Sequence, residues 1–197
     1  MFDITYEQIK QAYFKNRYRF FTGNYNLNIF AIRGKDRKVN AFDDTIGVAY
    51  QESGKDVIFL IAGTVDPGLP WLRRPMEPIL GTAAIKEGQY RSLWALGRFR
   101  NTSALLQINP ITCYRDNNKN DVFDYLPQKT STGLYGINFH EHFQRNETAT
   151  IVDTSSAGCI VPASRLEHYK VMNLCTKQAD NRFGNTFTFT LFDEREL

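Results

Sequence analysis

Two short segments carry groups that can do chemistry together. Gly136-Ile137-Asn138-Phe139-His140 ends in an imidazole, and Ser155-Ser156-Ala157-Gly158-Cys159-Ile160 sets a thiol behind a run of small residues. A thiol attacks as its thiolate, and its reference pKa of about 8.5 calls for a base at neutral pH. His140 is the candidate base and Cys159 the candidate nucleophile. Backbone N–H groups at a tight turn can hold the oxyanion of acyl transfer. The small side chains of Ser156 and Ala157 let the backbone approach a substrate carbonyl, and Gly158 tolerates positive φ. The amides of Gly158 and Cys159 are therefore candidate oxyanion donors. Ser155 or Ser156 is a candidate for orienting His140, and Asn138, Ala157 and His142 lie close enough in sequence to touch substrate.

Other groups compete with this pair. Cys113 sits in a strand pattern and Cys175 on a helical stripe, so both read as core; a free cysteine is more often a small buried hydrophobe than a nucleophile. Three cysteines without a C-x-x-C spacing argue against a disulfide framework. His140 and His142 form H-x-H, which on a continuing strand would face one way. With Cys159 they would make a His2Cys zinc set. No fourth group is evident, so the zinc hydrolase ranks behind the thiol and no cofactor is expected. Asp116, Asn118, Asn120, the Val122 carbonyl and Asp124 alternate like the ligands of a calcium loop. Asp121 stands where such a loop has glycine and Pro127 where it has glutamate, so an Asx-rich turn is the expectation. Tyr90, Trp94 and Phe99 read as core of one strand. Trp71, beside Arg73 and Arg74 in a proline-rich stretch, is the candidate aromatic contact for substrate.

These groups need a scaffold, and the 197 residues are enough for a core without disulfides or metal. The abundance of Phe (15) and Tyr (10) suits pleated sheet. Thr5 and Gln8 form a capping box for a helix over 3–15, with Ile4, Ile9, Tyr13 and Phe14 on its apolar side. Strands are predicted at 27–33, 45–51, 56–63, 81–86, 93–99, 104–114, 134–140, 148–153 and 186–192. The second and third form a hairpin around Gly54. Residues 64–82, with Pro67, Pro70, Pro75 and Pro78, read as one long loop, the kind that is often functional. A second helix follows Cys159, capped by Ser164 with Glu167 three positions on, and Leu166, Tyr169, Met172 and Cys175 as its buried stripe. The Thr–Phe alternation at 186–192 predicts a strand with one wet face. The sum is a single mainly β domain, sandwich or barrel, with peripheral helices and residues 1–20 as a helical appendage.

Charge is nearly balanced, +3 with a pI near 8.7. The basic groups at 15–19, 33–38, 73–74 and 98–100 read as solvated surface, and nucleic acid is not an expected partner. The N-terminal residues lack the basic-then-apolar pattern of a signal peptide. No apolar run approaches the roughly 20 residues of a membrane helix. The expectation is a chain made in the cytoplasm that does not insert into membranes.

The order histidine, loop, small residues, cysteine, aliphatic residue resembles the catalytic domain of the L,D-transpeptidase (YkuD-type) family. Gly136–His140 matches the family's histidine strand, and Ser156-Ala157-Gly158-Cys159-Ile160 its cysteine motif. The resemblance implies the family's β-sandwich or barrel, attack of Cys159 on a peptidoglycan stem-peptide carbonyl, and a thioester. An amine acceptor would make the chain a transpeptidase; water would make it a carboxypeptidase or endopeptidase. The motif departs at Ala157, where the family has histidine, and at Val161, where arginine or asparagine is usual. Those departures resemble a divergent, phage-associated branch, which with the missing leader suits a lysin, virion protein or injected effector acting on the cell wall. Papain-like and NlpC/P60-like enzymes place cysteine before histidine; His168 follows Cys159 but falls on the predicted helix. Sortases have the same order as here but a longer gap. The competing class is a structural or wall-binding virion module with the same fold and no chemistry.

Overall fold

The expected hairpin forms the spine of the main sheet. Strands β2 (Asp44–Glu52) and β3 (Lys55–Thr64) pair antiparallel along their whole length, with Glu52 opposite Lys55. Ser53 and Gly54 turn the chain with φ of 52° and 77°. Two successive positive φ values are what a two-residue hairpin loop of the favoured twist demands. β1 (Asn28–Arg33) lies antiparallel to β2, and β10 (Phe187–Asp193) runs parallel beside β1. β5 (Gly88–Phe99), β6 (Thr102–Gln107) and β9 (Val161–Pro162) complete seven strands in the order β6-β5-β10-β1-β2-β3-β9. A second sheet holds β4 (Thr82–Ile85), β7 (Ile111–Asp116) and β8 (Thr130–Gly133) in the order β4-β7-β8.

The computed structural model describes residues 2–197 and is mainly β with peripheral helices. The larger core joins Ile29 and Ala31 of β1, Ile46 and Val48 of β2, and Phe187, Phe189 and Leu191 of β10 to Ala83, Ile85, Ile111 and Cys113 of the second sheet. Helix α3 (Arg165–Ala179) adds Val171, Met172 and Cys175 to it. Helix α1 (Tyr6–Lys15) covers the other face of the main sheet, where Ile9, Tyr13 and Phe20 pack on Phe30, Ile32, Ala49 and Phe192. Each such fully buried large side chain stabilises the fold by about 1.5–3 kcal/mol. Residues 2–20 are thus one wall of a second core, where an appendage was expected. The Thr5–Gln8 capping box is present in both directions.

Several expectations differ from the structure for identifiable reasons. β10 is buried on both faces because it is a central strand with a helix behind it; Thr190 Oγ1, fully buried, accepts from Gln89 Nε2 at 3.2 Å. The run 104–114 splits into β6 and β7 around Ile108-Asn109-Pro110, as proline cannot donate to a ladder. The segment 134–140 pairs only at Phe139, since Gln107 Oε1 takes the amides of Tyr135 and Ile137. The segment 148–153 has a single bridge, Thr148 to Ser164, before a 3-10 turn at Asp153–Ser155. β5 begins five residues earlier than predicted, β8 was not foreseen, and the proline loop contains the short helix α2 (Leu69–Arg73). Phe14, Leu166 and Tyr169 are exposed; the buried stripe of α3 is instead His168, Val171, Met172, Cys175 and Gln178. Among the described residues no helix is long and apolar enough to cross a membrane.

Candidate functional site

The stretch before His140 and the stretch after Cys159 run side by side. Phe139 and Ile160 form a parallel bridge, with Ile160 N donating to Asn138 O at 2.9 Å and His140 N donating to Ile160 O at 3.2 Å. This register sets Cys159 beside Asn138 and turns Phe139 and Ile160, both fully buried, into the core. By the alternation of extended chain, Cys159 and His140 share the opposite face. Neighbouring-strand spacing and two residues of rise place their Cα atoms roughly 8 Å apart. Both line one cleft of about 580 Å³, the size of a small-ligand or peptide site. Trp71, Phe99, Tyr135 and Phe143 furnish its aromatic walls, and Ala157 part of its lining.

His140 is almost wholly buried, with its ring against Phe99 (centroids 4.7 Å apart) and parallel to Phe143 (5.1 Å, 6°). Its Nδ1 lies 2.8 Å from Glu141 O. A carbonyl only accepts, so Nδ1 carries the proton and Nε2 keeps the lone pair, the tautomer a base requires. Burial, with a smaller contribution from Arg100, lowers its pKa to about 4. The thiol of Cys159 donates to Gly136 O at 3.4 Å, and Sγ accepts from Asn138 N at 3.5 Å. Burial raises its pKa to about 11, against the lowering effect of the Asn138 amide. The two groups therefore rest as neutral thiol and neutral imidazole, and the thiol must turn from Gly136 O to meet the base. Catalytic contacts often tighten only when substrate is bound.

The turn before Cys159 differs in detail from the expectation. Gly158 has φ of +124°, and a Cβ there would meet Ala83 O at 2.7 Å, so only glycine fits. Its amide, however, donates to Ser156 Oγ at 3.1 Å and is not free for an oxyanion. The Cys159 amide has no partner among the described residues and is the remaining donor. Ser156 is fully buried and donates to Cys159 O at 2.8 Å, while Ser155 Oγ accepts from Phe143 N at 3.1 Å. Neither serine orients His140; the Glu141 carbonyl does. Asn138 Oδ1 accepts from Gln107 N at 2.9 Å, so this carboxamide fastens the floor of the cleft to β6.

His142 lies outside the cleft, 1% exposed, with Nε2 3.0 Å from Glu147 O. It does not line the cleft, where a substrate contact was expected, and among the described residues it bonds to neither His140 nor Cys159. Among the described residues no three His, Cys, Asp or Glu side chains converge to hold a metal ion, which removes the His140–His142–Cys159 zinc set. The chain leaves extended pairing after His140, so H-x-H no longer implies a common face. In the Asx-rich turn the side chains serve their own backbone. Asp116 accepts from Asn118 N and Asp124 N, Asn118 from Asn120 N, and Asn120 from Val122 N. No family model, curated protein or solved structure matches the chain.

Trp71 lines the cleft with Nε1 donating to Thr154 O at 3.4 Å, and Arg73 ties the same segment to Asp121 through two 2.7 Å bonds. Cys113, Cys175, Tyr90 and Trp94 take the structural places expected; Trp94 Nε1 donates to Ile137 O at 2.8 Å beneath the cleft. Phe99 belongs to the cleft and not to the core. Arg100, over the Phe143 ring at 3.9 Å, and Arg115, over the Tyr135 ring at 4.1 Å, also line it. These residues sit far from the Cys–His segments in sequence, and only their strand-end positions could have signalled them. Arg33, read as a solvated charge, is fully buried among Asp66, Glu87 and the Ile85 carbonyl.

Proposed function

We propose that the chain is a cysteine acyltransferase or amidohydrolase acting on peptidoglycan stem peptides. The carrying observation is the parallel register of Asn138–His140 with Ile160, which puts a thiol and a correctly protonated imidazole on one face of an aromatic-walled cleft. In the proposed reaction Cys159 Sγ attacks an amide carbonyl while its proton passes to His140 Nε2. The S–C bond forms, the Cys159 amide stabilises the oxyanion, and the C–N bond breaks as His140 returns the proton to the leaving amine. Water or an amine then takes the acyl group from the thioester. Because the resting pair is neutral, proton transfer accompanies attack and does not precede it. The L,D-transpeptidase resemblance supplies the substrate class.

A second reading is a non-catalytic wall-binding module. The thiol's hydrogen bond to Gly136 O and its raised pKa favour it. Incubation with purified sacculi and mass spectrometry of the muropeptides separates the two. The enzyme reading expects new cross-links or shortened stems with the wild type and none with Cys159→Ala. Identical muropeptides from both proteins across several wall types, with sacculus binding retained, would establish the module instead.

A further inference from the structure

Arg115 occupies an unusual position for a cation. It stands on β7, 7% exposed, with its guanidinium 4.1 Å from the centroid of Tyr135. Nε donates to Ser131 Oγ at 2.7 Å and Nη1 to Gly81 O at 3.3 Å. Among the described residues, buried Nη2 has no hydrogen-bond partner and no carboxylate lies within ion-pair distance of this side chain. Burying a charge without a counter-charge is expensive, and a buried donor without an acceptor adds to the cost. Arg33, the other buried arginine, has two acidic partners. What distinguishes Arg115 is its place in the wall of the Cys159 cleft. Ser131, Gly81 and Tyr135 hold the guanidinium fixed, so its remaining edge is preorganised to receive an acceptor with little loss of side-chain freedom.

We infer that Arg115 is the anion-recognition residue of the cleft, and that the natural ligand presents a carboxylate to Nη2 while its apolar part lies along Tyr135 and Ile137. Arg100 at the His140 end adds a second positive charge, and Glu77 is the one acidic side chain lining the cleft among the described residues. A planar guanidinium with a free edge suits a carboxylate better than a neutral carbonyl, because a charge-assisted bond forms and the buried charge is neutralised at once. This assignment rests on the proposed role of the cleft as a peptide site, and names the feature of the peptide that the site selects: a free carboxylate near the scissile or bound amide.

The test is binding, independent of turnover. Isothermal titration is run on wild type, Arg115→Gln, Arg115→Lys and Arg100→Gln with N-acetylated dialanine bearing a free C-terminal carboxylate and with its C-terminal amide, in both the L- and D-series. The wild type is expected to prefer the acid by roughly 10- to 100-fold, the range of one charge-assisted hydrogen bond in a buried site. Arg115→Gln should erase the preference, Arg115→Lys restore part of it, and Arg100→Gln reduce it by far less than Arg115→Gln does. Equal affinity for acid and amide in the wild type, absence of binding of both at millimolar concentration, or a preference that survives Arg115→Gln would overturn the assignment. Should Arg115→Gln not fold, the guanidinium 15N resonances of wild-type Arg115 decide: they must shift on adding the acid and stay put on adding the amide. A protein inert towards sacculi that still prefers the acid through Arg115 would refute the acyl-transfer reading and leave this one standing.

Discussion

Alkylation of Cys159 should accelerate with pH well beyond neutrality. Burial lifts the thiol from its ordinary 9.0 to about 11. Two units correspond to about 3 kcal/mol against the thiolate, or about 100-fold less of it at pH 8 than a free cysteine would have. Iodoacetamide reacts only with the thiolate. Its rate of incorporation, followed by intact mass between pH 6 and 11, should therefore rise tenfold per unit past pH 9. Cys113 and Cys175 are fully buried, so a single adduct is expected. His140→Ala should leave this profile nearly unchanged, because the hydrogen bonds of Sγ run to Gly136 and Asn138. The same substitution should abolish stem-peptide turnover, where attack needs the base. A rate that levels off below pH 7 in the wild type and moves upward in His140→Ala would reveal a preformed thiolate–imidazolium pair and refute the neutral resting state.

Other consequences are equally direct. Gly158→Ala forces a Cβ to 2.7 Å from Ala83 O at a φ of +124°, and should cost about 1–3 kcal/mol in urea denaturation while disturbing the turn that holds Cys159. His140 and His168 are buried with pKa values near 4. An unfolded histidine takes up its proton near pH 6.5, so stability should be full above about 6.5 and fall as pH drops toward 4, by on the order of 3 kcal/mol for each. Denaturant titrations across that range measure the slope. Among the described residues both ring nitrogens of His168 lack partners, and its ring is stacked on Phe139. His168→Phe should raise stability at neutral pH by about 1–2 kcal/mol and flatten the acid slope; a loss at pH 7 would show that the histidine is needed there. Arg33→Met takes the cation from part-buried Asp66 and leaves Glu87 with only Arg37 at 3.9 Å, and should cost about 2–3 kcal/mol in thermal or chemical unfolding.

What the sequence made legible were the local signals. The Thr5–Gln8 cap, the Ser53–Gly54 turn and the Ser164 cap each state their structure within four residues, because the hydrogen bonds concerned are local. That Cys159 and His140 line one cleft was readable for a related reason: their two extended segments flank a single excursion over 141–158. What escaped depends on neighbours distant in the chain. The alternation of β10 reads as half-wet until α1 is known to lie behind it. Gln107 diverts the amides of Tyr135 and Ile137 from any strand, and no spacing in 134–140 announces that. The Ser156 hydroxyl that occupies the Gly158 amide is equally invisible, since serine in a small-residue turn fits either role. Arg115 and Arg100 entered the cleft only when two sheets were brought together.

The position of β10 has a consequence for how the chain is made. Phe187–Asp193 lies between β1 and β5, so until those residues leave the ribosome neither neighbour has its partner. Until then the nascent chain exposes two unpaired edges flanked by Ile29, Phe30 and Trp94, a template for association with other chains. Closure of the main sheet is thus a late, near all-or-none event, and a fragment ending before Phe187 should aggregate and bind chaperones where the longer chain folds.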